Sequence, residues 1–140
     1  ESRMSRMAGQ FAGILRVAVP VEAHEELVSA LQALATQGIR VVVAQSGIEP
    51  SGTWKPIHLD LVGNDRPGIV RDITRLLAEL GVNLERLSTE VVPAPMSSEP
   101  LFHAEALLAL PLGLTMDALQ GRLEALADDL MVELKLRSED

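Results

Sequence analysis

Apolar and polar positions along this chain follow two alternating rhythms. Ile57, Leu59 and Leu61 alternate with His58 and Asp60, the period of two expected of a strand. Ile69, Val70, Ile73, Leu76, Leu77 and Leu80 then recur at helical spacing, with Arg71, Asp72, Arg75 and Glu79 on the opposite face. Gly81 is a natural stop, because glycine accepts the left-handed conformation that ends many helices. Leu87, Thr89 and Val91 alternate with Arg86, Ser88 and Glu90 as a second strand, and VPAPMSSEP (92–100) turns into a third at Phe102. Met116, Leu119, Leu123, Leu126 and Leu130 mark a second helix, and 132–137 alternates apolar with charged as a fourth strand. Residues from about 57 to 137 therefore predict an α+β unit of βαββαβ order. Its four-stranded antiparallel sheet would carry both helices on one face, with the first strand central.

The second half of this pattern occurs twice. FAGILRVAVP from Phe11 aligns with FHAEALLALP from Phe102, Pro20 with Pro111, and ALQALA at 30–35 with RLEALA at 122–127. ESRMSRMAG aligns with the strand near 84–91. Leu27, Leu31 and Leu34 keep helical spacing, and Glu22, Glu25 and Glu26 crowd the helix start, where its dipole favours anions. Ile39, Val41 and Val43 read as the closing strand. The first copy is thus expected to hold three strands and one helix, and to lack the counterpart of 57–84. A half copy leaves strand edges unpaired and an apolar face uncovered. The expectation is that the natural chain continues upstream or that another chain fills the gap. The expected division is a partial first copy at 1–44, a linker at 45–56 and a complete second copy at 57–140. Trp54 in the linker reads as an inter-domain packing residue.

Composition narrows the function classes. Apolar residues make up 47% of the 140 residues and aromatics 2%, so aliphatic side chains must fill the core. The net charge of −8, without a cluster of basic residues, disfavours direct contact with nucleic acid. Cysteine is absent, which removes thiol catalysis, zinc–thiolate sites and disulfides, and fits a reducing cytoplasm, the expected location. No apolar run approaches the roughly 20 residues of a membrane span, so no membrane partner is expected. No signal peptide is visible.

The junction VGNDRPGIV (62–70) carries the most specific chemistry. Asp65 can cap the following helix, Pro67 suits a first turn, and Gly68 removes a side chain where something could approach the backbone. Amides exposed beside the positive end of a helix form a carboxylate- or phosphate-binding arrangement. The alternative is simply a well-formed helix start.

VGNDRPGIV, followed by LLAELGVNLERLS, resembles the opening of the ACT domain, a small amino-acid-binding regulatory module of ferredoxin-like fold. The resemblance covers the second copy, and the repeat extends it to the first as a truncated domain. The tandem arrangement is similar to the glycine cleavage system transcriptional repressor group. Such proteins have two ACT domains and no DNA-binding domain. The resemblance implies a non-enzymatic regulator that binds a small amino acid, glycine being the first choice, where two ACT units meet. It also implies a transcription regulator as protein partner, while the edge strands and exposed helix faces of the predicted fold point to a homodimer. Carried over residue by residue, it places Asn64, Asp65, Arg66, Pro67, Gly68, Ile69 and Asn83 at the ligand. Gly63 departs from members that have His there, which leaves the ligand open.

Other constellations are weaker. His58 and Asp60, with His103 and Glu105 on the neighbouring strand, could hold a divalent ion. The ordinary alternative is a solvated or partner-docking sheet face, and no metal or other cofactor is expected. No nucleophile–base pair, paired-acid cleft or phosphate-cradling loop emerges, so no catalytic residue is expected. The 92–100 loop, with Pro93, Pro95 and Pro100, would be a stiff lid or a plain protrusion. Two competing readings remain: a detached regulatory portion of an amino-acid or one-carbon enzyme such as formyltetrahydrofolate deformylase, and a purely structural dimerisation module. The acidic ending Ser138-Glu139-Asp140 reads as a terminus and argues against a catalytic domain beyond it.

Overall fold

Alternation of the kind seen at 57–61 places every second side chain on one face, and in the computed structural model those faces join into a single core. The structure describes residues 1–47 and 54–139, and the chain divides into two units, Glu1–Glu49 and Pro50–Asp140. In the second unit, β3 (Lys55–Asn64) leads to α2 (Ile69–Glu79), β4 (Asn83–Pro93), β5 (Pro100–Leu110), α3 (Met116–Leu130) and β6 (Val132–Ser138). The order across the sheet is β4-β5-β3-β6, every pairing is antiparallel, and the first strand of the unit is central, as the βαββαβ pattern requires. Both helices pack on the apolar face. Ile57, Leu61, Leu108, Leu119 and Leu123 are the most completely buried large side chains. Each contributes roughly 1.5–3 kcal/mol by leaving water.

Local signals set the element ends. Thr115 caps α3, its Oγ1 accepting from the Ala118 amide at 3.1 Å. Gly81 takes φ +71° just after α2, as expected of a glycine stop. The loop between β4 and β5 is only 94–99, closed by the Ala94 amide donating to the Glu99 carbonyl (2.8 Å). It is a tight hairpin connection. Lys55 and Pro56, expected in the linker, already belong to β3, and 48–53 of that linker lie outside the described residues. At the far ends of the unit, the Glu139 amide donates to the Pro56 carbonyl at 3.3 Å.

The first unit, described by itself, is a hairpin and a helix. β1 (Ser2–Met7) pairs with β2 (Gln10–Leu15) across Ala8-Gly9, both at positive φ, the backbone of a tight two-residue turn. α1 (His24–Ala33) runs into a 3₁₀ turn, Leu34–Gln37, ended by Gly38 at φ +84°. Leu27, Leu31 and Leu34 are half-buried, as are His24 and Val28, so the predicted stripe is there. No residue of this unit among those described is fully buried, and Phe11, Ile14 and Met7 are more than two-thirds exposed.

One predicted element does not form. Residues 39–43 join no sheet. In the second unit the equivalent strand, β6, pairs with β3. The first unit has no counterpart of β3 among the described residues, so an equally suitable segment has nothing to pair with. No helix of the described chain is long and apolar enough to cross a membrane.

Candidate functional site

β3 delivers the chain to the junction at Asn64, and the Asp65 amide donates to the Pro100 carbonyl at 3.0 Å, tying the turn to the start of β5. Pro67 and Gly68 complete the turn. Gly68 has φ +93° and occupies the position before the first helical residue, Ile69, whose side chain is buried. The expected Asp65 cap is not made, because the helix starts four residues later and behind a glycine, which has no side chain to cap with. The first bond of the helix runs from the Asp72 amide to the Gly68 carbonyl at 2.9 Å. The amides of Ile69, Val70 and Arg71 therefore have no partner within the helix itself, at the positive end of its dipole.

This corner carries two side chains that the pattern had assigned to a plain polar helix face. A Cβ on Gly68 would lie 2.8 Å from Arg71 Nη2 and 3.8 Å from Asp72 Oδ2. Arg71 Nε in turn donates to Asp72 Oδ1 at 3.1 Å. Side chains in a helix lean towards its N-terminus, so positions three and four after Gly68 lie over the turn that contains it. That spacing was the available signal. A guanidinium and a carboxylate side by side present both charges that a zwitterion needs.

Asn64, Asp65, Arg66 and Pro67 are exposed around the same turn, and Gly68 is half-buried. Asn83 is elsewhere. Asn64 pairs with Leu101 of β5 and Asn83 with Ala109, eight residues further along that strand. At about 3.4 Å per residue the two ends stand roughly 27 Å apart. Asn83 Nδ2 donates to the Glu85 carboxylate. Within one unit, then, 64–69 form one cluster and Asn83 does not join it. Gly63, beside the cluster, is fixed by packing: a Cβ there would lie 2.5 Å from Val132 Cγ1. Beside α2, Val70, Thr74, Leu77, Leu84, Leu87 and Phe102 line a shallow apolar crevice.

Of the four residues considered for a metal, Asp60, His103 and Glu105 come together on the open sheet face. His58 stands apart and faces Glu139, its Nε2 3.8 Å from Oε1.

Residues 57–105, which span β3, α2, β4 and the first half of β5, match the ACT domain family. Comparison with curated proteins gives no match. Among solved structures, an unknown protein from Galdieria sulphuraria is 28% identical, with a TM-score of 0.78, over 100% of this chain and 81% of its own. A provisionally named glycine cleavage system transcriptional repressor shares the fold over 100% of this chain and 80% of its own, with a TM-score of 0.77 and 16% identity. An ACT domain protein from Streptococcus pneumoniae is 25% identical, with a TM-score of 0.52, over 60% of this chain and 89% of its own. The junction chemistry and the βαββαβ unit built around it agree with the family match: residues 57–105 carry the ACT-domain pattern, in a fold shared with the repressor structure.

Proposed function

We propose that the chain is a non-enzymatic regulator that binds a small amino acid, glycine first among the candidates, at the corner 64–69. The observation that carries this reading is the start of α2. Gly68 opens a helix end with unspent amides, and the Arg71–Asp72 pair lies over it. The ligand's carboxylate would take the amides and the Arg71 guanidinium, while its ammonium would take Asp72 or Asp65. A small ligand suits a corner already occupied by two side chains.

Asn83 enters this reading from a second ACT unit. Its place at the far end of the sheet means that it can meet a 64–69 corner only from another copy of the chain. Ligand binding would then favour one docking of the units over others, which is what a regulatory module requires. The repressor-like fold supports a transcription regulator as the partner that senses the change. Chemistry of this kind fits the cytoplasm and involves neither nucleic acid nor membrane.

Calorimetry against all standard amino acids, with sedimentation run in parallel, tests the reading. One small amino acid is expected to bind, to raise the melting temperature and to shift the association state. Asn83→Ala and Asp72→Asn should each abolish the thermal shift. Failure of every amino acid to bind, or undiminished binding by both variants, overturns it and leaves a structural dimerisation module.

A further inference from the structure

The sheet face turned away from α2 and α3 gathers charge on its two central strands. Asp60 on β3 stands directly across from Glu105 on β5, and His103 lies two residues back along β5 on the same face. One ligand atom from each lies within 4.8 Å of the other two. His103 is held from its other side by β4. Its Nδ1 is 3.3 Å from a Glu90 carboxylate oxygen, and Glu90 is its register partner on that strand. Its Nε2 is 3.9 Å from Glu105.

In the neutral tautomer whose Nδ1 donates to Glu90, the Nε2 lone pair faces Glu105. A lone pair and two carboxylates that converge on one region repel one another unless a cation lies among them. The Arg137 guanidinium, 3.0 Å from Asp60 Oδ2, supplies positive charge to one of the carboxylates, and a metal ion would supply it among all three groups. The donor set suits the metal. Imidazole and carboxylates together suit first-row divalent ions, and a ligating histidine usually donates its second N–H to a carboxylate, the position Glu90 takes. The ligands also sit on paired inner strands, so their spacing is fixed before an ion arrives. With side-chain exposures of 27% for Asp60, 30% for His103 and 65% for Glu105, the ion has access.

We infer that Asp60, His103 and Glu105 form a binding site for a divalent first-row transition metal, with Glu90 as the residue that positions His103. This goes against the expectation of no metal, which rested on sequence spacing alone. Neither the convergence of the three ligand atoms nor the role of Glu90 is visible there. The site is separate from the 64–69 corner, and its test is independent of amino-acid binding. Arg137 opposes the ion. Its Nη2 is 3.0 Å from Asp60 Oδ2, and Lys135 stands across from Asp60 on β6. Bound metal must share Asp60 with a guanidinium that is already there.

Zinc chloride titrated into the whole chain, followed by calorimetry and by the imidazole ¹H–¹⁵N signals, decides the matter. One ion per chain is expected, with the His103 Nε2 signal moving and those of His24 and His58 unmoved. His103→Ala and Asp60→Asn should each weaken binding at least about tenfold, and Glu90→Gln about tenfold while altering the His103 tautomer signal. Arg137→Gln, which removes the competing cation, should tighten it. These side chains are all at least partly exposed, and circular dichroism verifies that each variant is folded. Absence of saturable binding, binding that survives His103→Ala, or an Arg137→Gln variant that binds more weakly overturns the proposal.

Discussion

At Gly63 a single methyl group would collide with Val132, the first residue of β6, across the β3–β6 pairing. Glycine here serves packing rather than a turn. Gly63→Ala is expected to lower stability by about 1–3 kcal/mol in urea denaturation, the usual range for overpacking a filled site. Adding Val132→Ala should return part of that loss, because it removes the obstructing methyl. An unchanged midpoint for Gly63→Ala would mean that β6 yields at no cost. The same contact leaves no room here for the His that some ACT openings carry at this position. The sequence showed the departure but not the contact, because Val132 is remote from it in the chain. Arg71 and Asp72 were hidden differently. Helical periodicity gives the face of a side chain but not its lean, and the lean carries both onto Gly68.

Sheet membership shows where local pattern stops being informative. Residues 39–43 and 132–137 follow the same signal, yet only the second segment forms a strand. A strand needs a partner as well as a pattern, and β3 supplies it for β6 alone. Hydrogen–deuterium exchange should therefore find the amides of 40–43 unprotected while those of 132–137 exchange slowly. Protection at 40–43 would show that some other strand pairs with them. Elements whose partners lie inside the second unit were legible nearly to their ends. The α3 stripe at Leu119, Leu123 and Leu130 is buried as its spacing predicted. Half-burial of the matching α1 stripe has the same origin as the missing strand: the pattern is intact, but no complete opposing layer covers it.

For the whole molecule, the two units differ in what holds them. The second has a mostly aliphatic core drawn from β3, β5, β6 and both helices, whereas the first buries nothing fully among its described residues. Limited proteolysis should cut within 1–47 first and leave a resistant fragment close to 54–139. That fragment, prepared alone, should melt near the temperature of the intact chain. Equal resistance of both units would show that the first is completed by a partner. The second unit also has its two entrances side by side. Ile57 pairs with Ser138, and one backbone hydrogen bond spans Pro56 and Glu139. A module with such neighbouring ends behaves as a cassette. It can be spliced into a surface loop of a host protein without prying the loop apart, or have its old ends sealed and new ones opened at 94–99. One narrow gate is thus enough to graft the unit onto many different hosts.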